Sequence, residues 1–357
     1  MAQDHVPLVQ ITEHGLFCAA GGFYIDPWRP VEQALLTHAH ADHARWGSAR
    51  YLAAEGNHSI LRHRLGVDAP IEIVRYGGRR RIGDVTVSFH PAGHMLGSAQ
   101  VRLERAGEVW VVSGDYKLAP DPTCASFEPV PCHTFITEST FGLPVFRWSD
   151  DGMIVRAIEE WWAGNAERAT ASVLFAYAAG KAQRILATLN ATIGPIACHG
   201  SVAALNLAYR KEGVALPAWI GARDWQTEDR GRALIVAPPS AQGTPWLRRF
   251  GEVSFAFASG WMTIRGLRRR RLVDRGFVIS DHADWDALNA VVEATGAERV
   301  WVTHGYSDSF AHWLRDRGLD AQPVATEFVG EQDDEELPKE AAENGVPASD
   351  APSESLR

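Results

Sequence analysis

Thr37-His38-Ala39-His40-Ala41-Asp42-His43, directly after the apolar run Ala34-Leu35-Leu36, is the stretch on which the reading of this chain turns. Three imidazoles and a carboxylate within six residues are hard to account for by packing, because His and Asp are mostly exposed or paired. On an extended segment, alternation points His38 and His40 the same way, so both could meet one metal ion. Asp42 and His43, on the turn that follows, can aim at a second. Imidazole nitrogen with carboxylate oxygen suits zinc, or manganese where oxygen ligands and water dominate. The bland alternative is a solvated histidine-rich loop.

Working outward, other short clusters complete a ligand set. Pro91-Ala92-Gly93-His94-Met95-Leu96-Gly97-Ser98-Ala99 sets a histidine among glycines, where the backbone can turn tightly. Ser113-Gly114-Asp115-Tyr116 puts a carboxylate at the end of a hydrophobic segment, and His304 ends Trp301-Val302-Thr303. Taken singly, each could be structural. Together with the first cluster they supply two sets of three or more ligands, with Asp115 left to bridge.

Short β-type segments run through the first part of the chain: Phe17–Ile25, Ala34–Thr37, Val85–Pro91, Ala99–Leu103, Val109–Gly114 and Thr134–Glu138. From about residue 150 the pattern changes. Met153–Ala163 and Ala182–Leu189 read as amphipathic helices, and Ser172–Ala178 and Ala233–Ala237 as buried strands. This alternation predicts a parallel sheet with crossover helices. Phe277–Ser280 resumes the earlier style, Trp285–Thr295 reads as a helix, and Val300–Thr303 as a strand. An α/β domain therefore looks inserted into a first one.

The 357 residues suit two domains at the usual domain size, and 46% hydrophobic against 22% charged residues allows a sizeable core. No apolar run approaches the ~18 residues of a membrane span, and MAQDHVPLVQ is no signal peptide, so a soluble, cytoplasmic protein without a membrane partner is expected. Cys18, Cys124, Cys132 and Cys198 form no CxxC pair and read as buried apolar residues. The net charge of −9 argues against a polyanion partner only at first sight. Residues 331–357 hold nine acidic residues against Lys339 and Arg357, which leaves −7 in the tail and −2 in everything before it. That tail lacks aromatics and reads as disordered. The body has basic clusters at Arg79–Arg81, Arg248–Arg249 and Arg265 with Arg268, Arg269, Arg270 and Arg271, the last a candidate polyanion track.

His-x-His-x-Asp-His, a downstream Gly-His, a Gly-Asp and a final His resemble the metallo-β-lactamase pattern. The resemblance implies a four-layer αββα sandwich with a site for two divalent metal ions at the strand tips. His38, His40 and His94 would hold one ion, Asp42, His43 and His304 the other, and Asp115 would bridge. Asp26, in Tyr24-Ile25-Asp26-Pro27, matches the family's first-strand aspartate, which orients a ligand histidine from behind. Thr137-Glu138-Ser139-Thr140-Phe141-Gly142, Ser280-Asp281-His282-Ala283-Asp284 and His304-Gly305 are similar to motifs A, B and C of the β-CASP branch, whose members cut nucleic acids. Gly180-Lys181-Ala182-Gln183 resembles an element of that branch's inserted cap. The implied organisation is residues 1–145 and 266–330 as the metallo-β-lactamase domain, 146–265 as the β-CASP cap, and 331–357 as the acidic tail.

Phe23–Trp28 with Pro30, His43–Ser48, Trp110–Lys117 and Phe135–Pro144 look like the bacterial DNA ligase-associated exonucleases, a subgroup also described as resembling mRNA 3′-end-processing factors. Single-strand DNA exonuclease activity in repair is implied, alongside an ATP-dependent DNA ligase and a helicase. His304 complicates this, because eukaryotic DNA-cutting relatives usually carry valine at motif C and RNA-processing relatives histidine. An RNA nuclease of the 3′-end-processing or ribonuclease J type is thus the alternative. A hydrolase of small esters or lactams is disfavoured by the cap and by Glu138 with His282. In the expected chemistry Asp115 and Asp42 hold and orient the attacking water, and His282, set by Glu138, protonates the leaving oxygen. Lys181, Arg184 and Arg268–Arg271 would line the strand's path, and backbone amides near Ser139, Thr140 and Gly180 would cradle a terminal phosphate.

Overall fold

The computed structural model describes residues 7–221, 224–226, 231–266 and 272–327. Arg268–Arg271 and the acidic tail at 331–357 lie outside the described residues. Among the described residues, no helix is long and apolar enough to cross a membrane.

The first sheet takes its strands in chain order: β1 (Gln10–Thr12), β2 (Gly15–Cys18), β3 (Phe23–Ile25), β4 (Ala34–Leu36), β5 (Tyr51–Ala54) and β6 (Ile71–Val74). The segment Phe17–Ile25, expected as one strand, is instead the antiparallel β2–β3 hairpin. Its turn is Ala19-Ala20-Gly21-Gly22, where Gly22 adopts a φ of 67° that a side chain would resist. From β3 to β6 the pairing is parallel.

The second sheet begins with β7 (Arg80–Ile82), β8 (Val85–Pro91), β9 (Ala99–Arg105) and β10 (Glu108–Val112) in antiparallel order, followed by β11 (Thr134–Glu138) parallel to β10. The chain then builds a third, wholly parallel sheet from β12 (Ala171–Phe175), β13 (Ile196–Cys198), β14 (Ile220–Gly221), β15 (Leu234–Ala237), β16 (Val253–Ala258) and β17 (Arg275–Phe277), in the order β14-β13-β15-β12-β16-β17. It returns to the second sheet as β18 (Arg299–Thr303), parallel to β11, and β19 (Asp320–Pro323). The return comes after Phe277 rather than at 266, because β17 pairs with β16.

Alternation explains the packing. Leu35, Val101, Trp110, Val112 and Ile136 turn into a single core shared by the first two sheets. Their neighbours Val111, Phe135, Val300 and Val302 face the opposite way, onto Trp285, Leu288, Phe310 and Leu314. Those last residues belong to α-helices at Trp285–Thr295 and Ser307–Asp316. Ala34 and Leu36 pack with Ile60 and Leu61 of a helix at His58–Leu65 and with Tyr209 of one at Gly200–Lys211. The third sheet is apolar on both faces, as buried parallel strands require: Leu174 and Val236 meet Ile158, Trp162 and Ile185, while Val173 and Ile235 meet Phe250 and Met262. Ile158 and Trp162 lie on a helix at Asp151–Glu167, and Ile185 on one at Lys181–Thr188. The architecture is thus mixed α/β, with several sheets and helices.

Candidate metal centre

Strands β8, β10, β11 and β18 run in one direction, so their C-terminal ends share one edge of the second sheet. The backbone there leaves the hydrogen-bonding ladder and is free to present side chains. The β8–β9 connection carries His94, the ends of β10 and β11 lead to Asp115 and Glu138, and the end of β18 leads to His304. The loop after β4 brings His38, His40, Asp42 and His43 to the same edge, tied by Ala99 N donating to Thr37 O at 2.8 Å.

The side chains converge. His38, His40, His94 and Asp115 present donor atoms within 4.8 Å of one another, as do Asp42, His43 and His304, and each set could hold a metal ion. Asp115 stands between them, with Oδ2 3.4 Å from His38 Nε2, 3.6 Å from His43 Nε2 and 3.9 Å from His94 Nε2.

Each imidazole has its other nitrogen fixed by the protein. Thr37 Oγ1 gives its proton to Asp26 Oδ2 at 2.5 Å and so accepts from His38 Nδ1 at 3.1 Å. Thr303 plays the same part: its hydroxyl donates to Thr137 O and accepts from His304 Nδ1 at 2.9 Å. His43 Nδ1 donates to Asp26 Oδ2 at 2.7 Å, so Asp26 sits behind a ring of the cluster. His40 Nε2 donates to Ala179 O at 3.2 Å, and His94 Nδ1 to Asp281 O at 2.9 Å. The nitrogens left over are those that face the cluster, the tautomers a metal needs.

The set fits a cation. His38 Nε2 and Asp115 Oδ1 are buried with no hydrogen-bond partner among the described residues, an arrangement that costs free energy unless something positive sits among them. Burial would lower His43, but the carboxylates of Asp42, Asp115 and Asp26 outweigh it and lift the ring to about 10. Burial chiefly, with Glu138 and Asp42, pushes Asp115 up to about 8 against the pull of His43 and His282. Burial would also raise Asp42, yet His43, His304 and His40 hold it at about 2. His38 and His94 are driven well below the usual imidazole range, first by burial and then by neighbouring rings. Backbone strain collects here too: Asp26 and His304 have φ of 44° and 55°, uncommon for residues other than glycine.

Beside the cluster, His282 Nδ1 donates to Glu138 Oε2 at 2.9 Å, and Glu138 Oε1 accepts from Tyr116 N at 2.8 Å. Burial opposes a charged His282, but Glu138 and then Asp115 raise it well above its ordinary value.

The expected strand contacts fare differently. Lys181 is fully buried and pairs with Asp281 Oδ1 at 3.1 Å. Arg184 is also buried, with Nε 2.7 Å from Asp121 Oδ2 and Nη1 3.1 Å from Asp151 Oδ2. Both are therefore committed to carboxylates, Arg184 tying the inserted residues to the loop after β10 and Lys181 tying them to the segment after β17; buried charges keep to partners that replace lost hydration. Of the backbone amides expected to cradle a phosphate, that of Gly180 donates to Gln183 Oε1 at 2.9 Å; at Ser139 it is the hydroxyl that is committed, to the carbonyls of Thr303 and His304. Sequence reasoning took Thr37 only as a polar residue at a strand tip and assigned no role to Thr303, to Lys117 or to Asp281 by itself. Thr37 and Asp281 stood inside quoted motifs. Lys117, buried against Ser280 O and Asp151, ended the quoted stretch Trp110–Lys117 with no role assigned to it.

No family model matches the chain. Over 340 residues it is 29% identical to a protein of Opitutus terrae named Probable DNA ligase, a match covering 95% of this chain and 32% of that one. It is 27% identical over 193 residues to Endoribonuclease ysh-1 of Neurospora crassa, covering 50% of this chain and 22% of the relative. A third match, to Endoribonuclease YSH1 of Gibberella zeae, is 30% identical over 125 residues and covers 34% and 14%. The resemblance drawn from the motifs holds. This chain spans about a third or less of the length of these relatives. A solved structure, of a protein of unknown function from Enterococcus faecalis V583, aligns with a TM-score of 0.52 over 83% of this chain and 79% of that one; at 13% identity it bears on the fold alone.

Proposed function

We propose that this protein is a metal-dependent nuclease that hydrolyses phosphodiester bonds of DNA from the end of a single strand, in repair. The observation that carries the reading is the position of Asp115, within 4.0 Å of ring nitrogens from both ligand sets and from His282. On this reading the first two sheets and their outer helices form the αββα metallo-β-lactamase sandwich, and the inserted residues from about 146 through β17 form a β-CASP cap. His38, His40, His94 and Asp115 would hold one divalent ion and Asp42, His43, His304 and Asp115 a second, zinc or manganese. Bound there, the ions would lower the pKa of a water and neutralise charge on the phosphate.

The chain's own groups do the rest. Asp42 and Asp115 orient the attacking water. His282, anchored through Nδ1 by Glu138 and kept cationic by it, turns Nε2 toward the leaving oxygen and supplies its proton. A cavity of about 150 Å³ beside His40 supports action at an end: His63, Arg64, His199, Ser201 and Ser240 line it, and among the described residues no carboxylate does. The Arg64 guanidinium, with the hydroxyls of Ser201 and Ser240, suits a terminal phosphate, while burial holds the His63 and His199 rings toward the neutral form.

The match to Probable DNA ligase along 95% of the chain favours DNA; a DNA ligase and a helicase as functional partners and a cytoplasmic setting are part of the same proposal. RNA is the second reading, favoured by His304 and by the two endoribonuclease matches. The test is digestion of end-labelled, sequence-matched single-stranded DNA and RNA by the full chain loaded with zinc or manganese. Mononucleotide release from DNA is expected. Cleavage of RNA with DNA left intact overturns the DNA reading, and cleavage of neither overturns the nuclease reading.

A further inference from the structure

Residues 179–184, in the inserted part of the chain, touch the segments around the ligand cluster at three points: the loop after β4, the segment after β17 and the β8–β9 connection. Ala179 O holds His40 Nε2 at 3.2 Å. Lys181 Nζ lies 3.1 Å from Asp281 Oδ1, and the backbone carbonyl of that same Asp281 accepts from His94 Nδ1 at 2.9 Å. One helical turn on, Arg184 Nη2 donates to Gly93 O, the carbonyl just before His94, at 3.3 Å. The local sequence is built for this approach. Gly180 has a φ of 87°, and a Cβ there would come within 3.3 Å of Asp281 Oδ2 and Met95 Cβ. Gln183 Oε1 accepts from Gly180 N at 2.9 Å while its amide donates to Ala178 O, closing the turn around Lys181.

His40 and His94 thus differ from the other rings. The acceptors behind His38, His43 and His304 are Thr37, Asp26 and Thr303, all within the first two sheets or their connections. Those behind His40 and His94 are a carbonyl of the inserted part and a carbonyl whose residue is pinned by a lysine from it.

We propose that Lys181 is a positioning residue for His94, acting through Asp281, so that the His38–His40–His94–Asp115 set binds its ion tightly only when the inserted unit is docked, whereas the Asp42–His43–His304 set does not depend on docking. The inference rests on the metal-centre reading and adds to it that the two sets respond differently to one lysine. Losing an outer partner of a metal-ligating histidine ordinarily costs ~10–100-fold in affinity.

The experiment is a calorimetric titration of the full chain, stripped of metal, with zinc or manganese alone, together with metal content after gel filtration. Lys181→Met is expected to weaken one class of site ~10–100-fold and leave the other unchanged. Thr303→Val, which removes the acceptor behind His304, should weaken the other class. Lys181→Arg should recover part of the loss. Because Lys181→Met strands the buried Asp281 carboxylate and could prevent folding, Lys181→Met with Asp281→Asn is measured beside it; that pair leaves no unpaired charge and should keep the selective weakening. Equal weakening of both classes, or wild-type affinity in Lys181→Met or in its pairing with Asp281→Asn, overturns the proposal. If the wild-type chain itself takes up no metal, the metal-centre reading falls, and the inference with it.

Discussion

Replacing Asp26 tests how the cluster is held. Its carboxylate is buried and accepts three hydrogen bonds: from Thr37 N at 2.8 Å, Thr37 Oγ1 at 2.5 Å and His43 Nδ1 at 2.7 Å. Asp26→Ala strands all three donors. At ~1–3 kcal/mol for each buried unpaired group the cost is ~3–9 kcal/mol, comparable with the ~5–15 kcal/mol that stabilises a whole domain, so this variant should fail to accumulate as folded protein. Asp26→Asn is the informative change. Asparagine tolerates the φ of 44° at this position, so no backbone strain is added. Its amide keeps one acceptor and loses the charge, and the bond to His43 drops from a charge-assisted one worth ~1.5–3 kcal/mol to an ordinary or missing one. That loss corresponds to ~10–100-fold in affinity for an ion held through His43, while His38 keeps the Thr37 hydroxyl as its acceptor. The assay is metal titration of the stripped protein, with melting followed across a metal series, where each variant's upshift reports its own affinity. Wild-type affinity and full metal content in Asp26→Asn would refute the claim that Asp26 sets the ring.

Further outcomes are equally specific. His282→Ala should keep its metal content and lose ~10²–10⁴-fold in hydrolysis of a DNA strand, whereas undiminished turnover would remove His282 from the chemistry. Prolonged dialysis against a chelator should abolish hydrolysis and lower the melting temperature, both restored by adding manganese or zinc; activity that survives full removal would exclude metal catalysis. Arg184→Met should cost ~3–5 kcal/mol in denaturant unfolding, because Asp121 and Asp151 lose a shared cation in a buried setting. A stable Arg184→Met protein with weakened, less salt-sensitive DNA binding would instead return Arg184 to the strand's path.

Pattern alone carried the chemistry a long way. Two histidines one residue apart, an aspartate and a third histidine after an apolar strand can be read locally, since alternation and burial act over a few residues. The same holds for β8, β11 and the helix at Trp285–Thr295, whose ends agree with those read from periodicity. What stood behind the rings was not legible. His40 meets Ala179 across 139 positions, and His94 meets Asp281 across 187, through carbonyls that every residue type possesses. The partners of Lys181 and Arg184 were hidden for a related reason: a lysine or arginine in the sequence reads as solvated, and only chain closure shows that Asp281 and Asp121, both buried, and the partly exposed Asp151 meet them. Composition and spacing thus determined which side chains could do chemistry. The tertiary structure decided which nitrogen of each ring faces inward, because a tautomer is fixed by its remote partner, and a remote partner exists only once the chain has folded.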